Sequence, residues 1–226
     1  MNKNIFITAT GTDVGKTFVT ALIVKKLRDE GYNAGYYKAA LSGAEVTENG
    51  LIPGDAYYVN KTANINETMD NLVSYVYKEA VSPHLASQIE GHPVEMEKVI
   101  EAFNNAAVKY DYVTMEGSGG IVCPIRYDDK KIMLEDIIKK LDLSTLVIAD
   151  AGLGTINNVV LTVEYLKRRN IKVKGIILNH YSDGDFLHED NKKMIEEITE
   201  VPIIALVKKG DKKLNIDINE LLKVYE

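Results

Sequence analysis

With 226 residues, 46% of them hydrophobic and 27% charged, the chain has the composition of a globular protein with one sizeable core, and a single domain over residues 1–226 is expected. No apolar run approaches the roughly 18 residues of a membrane span, and a net charge of −6 with scattered cations argues against nucleic acid as the main partner and for small-molecule chemistry. A lone cysteine, Cys123, cannot close an internal disulfide, and a strand-like run begins within four residues of Met1, without room for a secretory signal, so a cytoplasmic setting is expected.

The first apolar run, 5–9, reads as a strand and 16–30 as a helix. Between them stands Gly11-Thr12-Asp13-Val14-Gly15-Lys16-Thr17. A strand, a glycine loop and a helix in that order form a triphosphate site. Backbone N–H groups and the helix N-terminus face the phosphates, Lys16 reaches the β/γ oxygens and the Thr17 hydroxyl can hold Mg²⁺. The strict pattern has glycine where this chain has Thr10, so the match rests on context as much as on letters.

A second strand is expected at 34–39, ending in Lys38-Ala39-Ala40-Leu41-Ser42-Gly43. A lysine at a strand end either snorkels to the surface or faces the same phosphates as Lys16. Residues 43–55, with Glu, Asn, Gly and Pro, form the longest loop-like stretch and are expected to be a mobile cover. By spacing alone Asp55 reads as the cap of the helix after it. Ser82-Pro83-His84 reads as a helix start, serine as N-cap and proline at the first position.

A helix over 95–109 leads to a strand over 112–115 that runs into Glu116-Gly117-Ser118-Gly119-Gly120. An acid there is where nucleotide hydrolases hold Mg²⁺, and the glycines let backbone approach a ligand. Cys123 reads as a small buried apolar residue, and the four histidines lack the spacing of a zinc site. A helix over 134–141 and a strand over 145–149 precede Asp150-Ala151-Gly152-Leu153-Gly154-Thr155-Ile156-Asn157, a further glycine loop in which Thr155 or Asn157 caps a helix over 157–169. Strands at 173–178 and 202–207 flank a helix at 188–200. This alternation of continuous apolar runs with helical patterns predicts an α/β fold: a mostly parallel β-sheet covered by helices on both faces, with ligands at the carboxyl ends of the strands.

As a series, Thr12 to Thr17, Gly35-Tyr36-Tyr37-Lys38, Ser42-Gly43, Asp55-Ala56, Ser82-Pro83-His84, Glu116 to Gly120, Gly154 to Asn157 and Asn179 resemble the dethiobiotin synthetase family of P-loop NTPase-like domains. The resemblance runs from the first strand to about residue 180. It implies an ATP-dependent cyclo-ligase of biotin biosynthesis, which carboxylates and closes 7,8-diaminononanoate with CO₂ to give dethiobiotin, ADP and phosphate, with ATP as co-substrate, Mg²⁺ as cofactor and a homodimer as the assembly. Carried over by position, Asp13, Val14, Gly15, Lys16, Thr17 and Phe18 would line the ATP phosphates, and Thr17, Asp55 and Glu116 would surround Mg²⁺, against the capping role for Asp55. Lys38 would be the catalytic lysine with Lys16 beside it, and Ser42 a substrate contact. Gly117, Ser118 and Gly119 would border the nucleotide and Asn179 would touch adenine, while Gly154, Thr155 and Asn157 would reach the diamine across the dimer interface. The chain departs from the family at Ala9, where glycine is common, and at Val207-Lys208-Lys209, in place of a proline-containing loop.

Two other readings share the nucleotide half. A partner-regulated switch ATPase of the cell-division or partition type would carry a second lysine where this chain has Gly11. Another ATP-dependent amide-forming enzyme would differ in its substrate loops.

Overall fold

The computed structural model describes residues 3–48 and 50–226. In chain order the elements are β1 (Lys3–Ala9), α1 (Lys16–Asp29), β2 (Ala34–Leu41), β3 (Glu45–Thr47), β4 (Gly50–Ile52), α2 (Gly54–Thr62), α3 (Met69–Leu72), β5 (Val73–Val76), α4 (Pro83–Ile89) and α5 (Met96–Lys109). There follow β6 (Tyr112–Glu116), β7 (Pro124–Tyr127), β8 (Lys131–Met133), α6 (Leu134–Lys140), β9 (Ser144–Asp150), α7 (Thr155–Arg168), β10 (Val173–Asn179), α8 (Phe186–Thr199), β11 (Ile203–Leu206) and α9 (Ile218–Val224).

Seven strands form one sheet in the order β11-β10-β9-β1-β6-β2-β5, and every neighbouring pair in it is parallel. The reason lies in the sequence. Ile5, Phe6, Ile7, Val113, Met115, Leu146, Val147, Ile148, Ile176, Ile177 and Leu178 are all sealed from solvent, so these strands have no wet face and need helices on both sides. The helices supply matching stripes: in α5, Val99, Phe103 and Ala106 are buried, at the i, i+4, i+7 spacing of one helical face.

The six expected strands all occur. The sheet gains β5 as an edge strand beside β2, which the sequence reading lacked because Val73–Val76 alternates between buried and half-buried residues over only four positions. The stretch 43–55, expected to be loop-like, contains a short antiparallel hairpin, β3 with β4, followed at once by α2; Asn49 lies outside the described residues. A second hairpin, β7 with β8, follows the Glu116 loop.

The carboxyl ends of β1, β2, β6, β9 and β10 all open on one edge of the sheet, because parallel strands share direction. Five glycine-bearing or charged loops are thereby gathered there from segments up to 165 residues apart, the separation of Val14 and Asn179.

Candidate functional site

The loop between β1 and α1 takes left-handed backbone at Asp13 (φ 60°) and at Gly15 (φ 81°), which caps α1. Such alternation turns successive N–H groups inward and forms an anion cradle at the helix N-terminus. Gly15 is required twice over. Its φ disfavours any side chain, and a Cβ there would stand 2.1 Å from Asn179 Nδ2.

Beside this loop lies a cleft of about 430 Å³ whose walls include Asp13, Gly15, Lys16, Thr17, Phe18, Lys38, Ser42, Asp55, Ser118 and Gly119, together with Thr12 and Leu41. The sequence-predicted residues on four different elements therefore meet. At its floor Lys38, on the fully buried β2, donates to Glu116 Oε1 at 2.9 Å and to Asp55 Oδ2 at 2.6 Å. Thr17 Oγ1 donates to the same Glu116 oxygen at 2.9 Å, and Lys16 Nζ stands 3.7 Å from it.

The electrostatics follow from burial against pairing. Burial works against the charge on Lys38, but Glu116 and Asp55 together outweigh it and hold the ammonium above its ordinary range. Lys16 goes the other way: burial, then repulsion from Lys38, push it down despite Glu116. For Asp55, burial would raise the carboxyl, yet Lys38, Lys16 and Thr17 leave it depressed. Two cations, two carboxylates and a hydroxyl thus hold one another at the floor of the cleft. A triphosphate entering it would take over the lysines and free the carboxylates.

The acid and hydroxyl oxygens of Thr17, Asp55 and Glu116 are hard donors of the kind Mg²⁺ accepts alongside phosphate oxygens and water, so the residues present fit that ion. Among the described residues no three His, Cys, Asp or Glu side chains come together as a metal cluster, and further oxygens would have to come from the nucleotide.

Two local readings are corrected. Asp55 does not cap α2, whose N-cap is Pro53; its carboxylate turns to Lys38, because a buried ammonium is the stronger partner. Neither Thr155 nor Asn157 caps α7. The cap is Gly154 at φ 87°, and the Thr155 hydroxyl donates to the Asp150 carbonyl. Gly154, Thr155 and Asn157 lie outside the cleft wall; Asn157 is exposed, and so is Leu153, at 92%.

Other residues fall where expected, with different duties. Ser82 is the N-cap of α4 with Pro83 next, and its hydroxyl is 2.9 Å from His84 Nδ1. Gly117 lies off the cleft wall, and a Cβ there would strike the ring of Phe6 at 2.9 Å. Its bareness serves packing of the loop on β1. Ser118 donates to the Ala40 carbonyl at 2.8 Å and ties that loop to β2. Asn179 lies behind the phosphate loop, buried, donating to the Val14 carbonyl at 3.0 Å. Cys123 is buried and its thiol is pushed up to about 11 by that burial, as befits a packing residue.

Sequence reasoning missed Tyr36, whose buried hydroxyl donates to Glu116 Oε2 at 3.3 Å. A signal existed: Tyr36 and Lys38 are two apart on one strand and so share a face.

Comparison with known proteins agrees with this geometry. A family model described as an AAA domain matches residues 3–213. The chain is 55% identical over 217 residues to a protein of Brachyspira hyodysenteriae named ATP-dependent dethiobiotin synthetase BioD, covering 95% of this chain and 96% of that one. Proteins of the same name from Clostridium botulinum and Clostridium perfringens are 49% and 50% identical, each covering at least 98% of both chains. Among solved structures, the MinC:MinD cell division complex of Aquifex aeolicus is similar at a TM-score of 0.56 and 15% identity, covering 99% of this chain and 86% of that one. A ParA family ATPase of Chlorobium tepidum is similar at 0.55 and 14%, covering 93% and 85%. At such identities these two share the fold and nothing narrower.

Proposed function

This chain belongs to the ATP-dependent dethiobiotin synthetase family, and from that premise we propose how its cleft performs the reaction. The enzyme carboxylates 7,8-diaminononanoate with CO₂ and closes the cyclic urea at the expense of ATP, giving dethiobiotin, ADP and phosphate. The observation that carries the site reading is the buried Lys38 ammonium, held by Glu116 and Asp55 in the same cleft as the phosphate loop.

A neutral amine of the substrate adds to CO₂ and loses a proton, giving a carbamate. A carbamate oxygen attacks the γ-phosphorus and ADP departs. The second amine then attacks the carbonyl carbon of the mixed anhydride and gives up a proton, and phosphate leaves as the ring closes. Carbamate and triphosphate are both anions, so the first requirement is to cancel their repulsion. Lys16, Lys38 and the N–H groups of residues 13–18 do this where charge accumulates on the transferred phosphoryl group. Thr17, Asp55 and Glu116 would hold Mg²⁺, which when bound neutralises charge on the phosphate oxygens. The second requirement is orientation. Ser42, on the cleft wall, would place the diamine so that both nitrogens face one carbonyl. Ser118 and Gly119, on the cleft wall, would border the nucleotide, and Gly117 and Asn179, packed behind it, would hold the two loops in place.

The assembly we propose is a homodimer in which Gly154, Thr155 and Asn157 of one copy approach the other's diamine. In support, Leu153, Val122 and Leu161 are 92%, 61% and 62% exposed, and the last two flank one groove with Gly120 and Tyr165. A second copy would cover them. We further read the whole chain as one domain and its setting as cytoplasmic. Among the described residues no helix is long and apolar enough to cross a membrane, and Cys123 is unpaired.

The test is phosphate release from MgATP and bicarbonate, with and without the diamine, and a mass spectrum of the product. Diamine-dependent release with a cyclic urea is expected. Hydrolysis independent of the diamine, with no urea, would return the cleft to a plain ATPase.

A further inference from the structure

β2 carries two tyrosines side by side, Tyr36 and Tyr37, both sealed from solvent. Alternation along a strand sends them to opposite faces of the sheet. Tyr37 turns to α5, where its ring meets Phe103 edge to face at 6.0 Å and its hydroxyl lies 2.7 Å from Ser74 Oγ and 3.2 Å from the Val99 carbonyl. Tyr36 turns to the face it shares with Lys38. In the register of β2 with β6, Tyr36 stands opposite Thr114 and Lys38 opposite Glu116, so Glu116 is the diagonal neighbour of Tyr36, a gap that a long aromatic side chain spans. The Tyr36 hydroxyl donates to Glu116 Oε2 at 3.3 Å.

The two oxygens of Glu116 are thereby divided. Oε1 accepts from Thr17 and Lys38, each at 2.9 Å, with Lys16 Nζ 3.7 Å away, and all three of these residues line the cleft. Oε2 faces the core, and among the described residues Tyr36 is its only hydrogen-bond partner. The outermost torsion of a glutamate has no sharp staggered minimum, so a carboxylate held by one oxygen alone would turn about its partners. Those on the cleft side are the ones a nucleotide disturbs, since its phosphates draw on Lys16 and Lys38. Tyr36 is fully buried off the cleft wall, and a phenol keeps its proton near neutral pH, so its donation does not depend on what the cleft holds.

We propose that Tyr36 is a positioning residue for the metal subsite: by holding Oε2 it keeps Oε1 of Glu116 turned to Thr17 and the cleft when the lysines engage phosphate. The inference rests on the reading above that Glu116 helps to hold Mg²⁺. Groups that hydrogen-bond a metal-holding side chain from behind typically change metal affinity by about 10–100-fold, whereas a tyrosine that only packs changes stability. Tyr37, of the same type, strand and burial but on the other face, separates the two cases.

The test is the calorimetric affinity for ADP with Mg²⁺ and with EDTA, in the wild type, Tyr36→Phe, Tyr37→Phe, Glu116→Gln and the double variant Tyr36→Phe with Glu116→Gln, with thermal midpoints to show that each is folded. Phenylalanine keeps the ring and deletes only the hydroxyl. The ratio of the two affinities is the gain due to the ion. Tyr36→Phe should lose about tenfold of that gain while ADP affinity in EDTA holds within about twofold, and Tyr37→Phe should lower the midpoint and keep the gain. Because Tyr36 acts through Glu116, the double variant should lose no more of the gain than Glu116→Gln alone. A Tyr36→Phe protein that keeps the gain, that loses affinity equally with and without Mg²⁺, or whose loss adds to that of Glu116→Gln would overturn the tether and leave Glu116 acting without it. An unchanged gain in Glu116→Gln would overturn the metal reading of Glu116 and the tether together.

Discussion

Lys38 and Glu116 stand opposite each other in the parallel register of β2 and β6, and their side chains meet at 2.9 Å. A lysine that is 2% exposed within a strand buried along its whole length is tolerable because its neighbour in the ladder ends in a carboxylate and α2 brings a second. The pairing places a charged ammonium on the side of the sheet where β1 leads into the glycine loop. Fold and site are therefore coupled through one rung.

Lys38→Gln should lower kcat by about 10²–10³-fold, the usual cost of one transition-state donor, while ATP affinity changes less than tenfold, because the phosphate loop and Lys16 remain. Steady-state turnover with the diamine and calorimetric titration with ATP measure the two quantities separately. Equal losses in both would make Lys38 a binding residue rather than a catalytic one.

Gly15→Ala should damage the nucleotide site without touching a charge. The left-handed backbone costs a Cβ-bearing residue about 1–2 kcal/mol, and the new carbon would overlap Asn179 Nδ2. A fall in thermal midpoint of roughly 2–8 °C is expected, with at least a tenfold loss of ATP affinity. A variant that binds ATP like the wild type would show that the loop can move off Asn179.

Asp55 predicts a pH dependence of stability. Its folded carboxyl is depressed below the ordinary 3.8, since Lys38, Lys16 and Thr17 prevail over burial. A depressed carboxyl contributes stability above its unfolded value and loses it as pH falls through the folded one. Asp55→Asn should therefore be less stable than the wild type near pH 7, and the two should converge as pH falls below about 4. Urea midpoints across pH 2.5–7 test this; a gap that widens in acid would mean that Asp55 is not paired as an anion.

The sheet was readable because its strands are buried on both faces and appear as unbroken apolar runs, as in Ile5 to Ala9 and Ile176 to Leu178. The hairpins at 45–52 and 124–133 were not, since three- and four-residue strands carry too little periodicity to stand out. At the site, motif spacing located Lys16, Thr17 and Glu116, at the start of a helix or the end of a strand, whereas Lys38, expected at a strand end, lies inside β2, which runs on to Leu41, and its role came only from the family resemblance. Asp55 read locally as a cap because its partner, Lys38, is 17 residues away on β2. The pair of Asp150 and His180, 30 residues apart, is formed only when β9 and β10 align Asp150 beside Asn179, a fact of register that neither loop announces by itself.

Exposed leucine and valine at the proposed interface predict the effect of charge there. Leu153 stands 92% exposed in the loop that leads into α7, and Val122 and Leu161 are 61% and 62% exposed. If two copies meet on these residues, an arginine in place of Leu153 must bury an unpaired cation on each side of the two-fold axis, which costs several kcal/mol. Leu153→Arg should therefore sediment as a monomer at micromolar concentration while the wild type sediments as a dimer. Because the partner's Gly154, Thr155 and Asn157 would then be withdrawn from the diamine, KM for the diamine should rise at least tenfold and ATP affinity should hold within about twofold. A monomeric wild type, or a monomeric variant with unaltered KM for the diamine, would show that each copy holds its substrate alone.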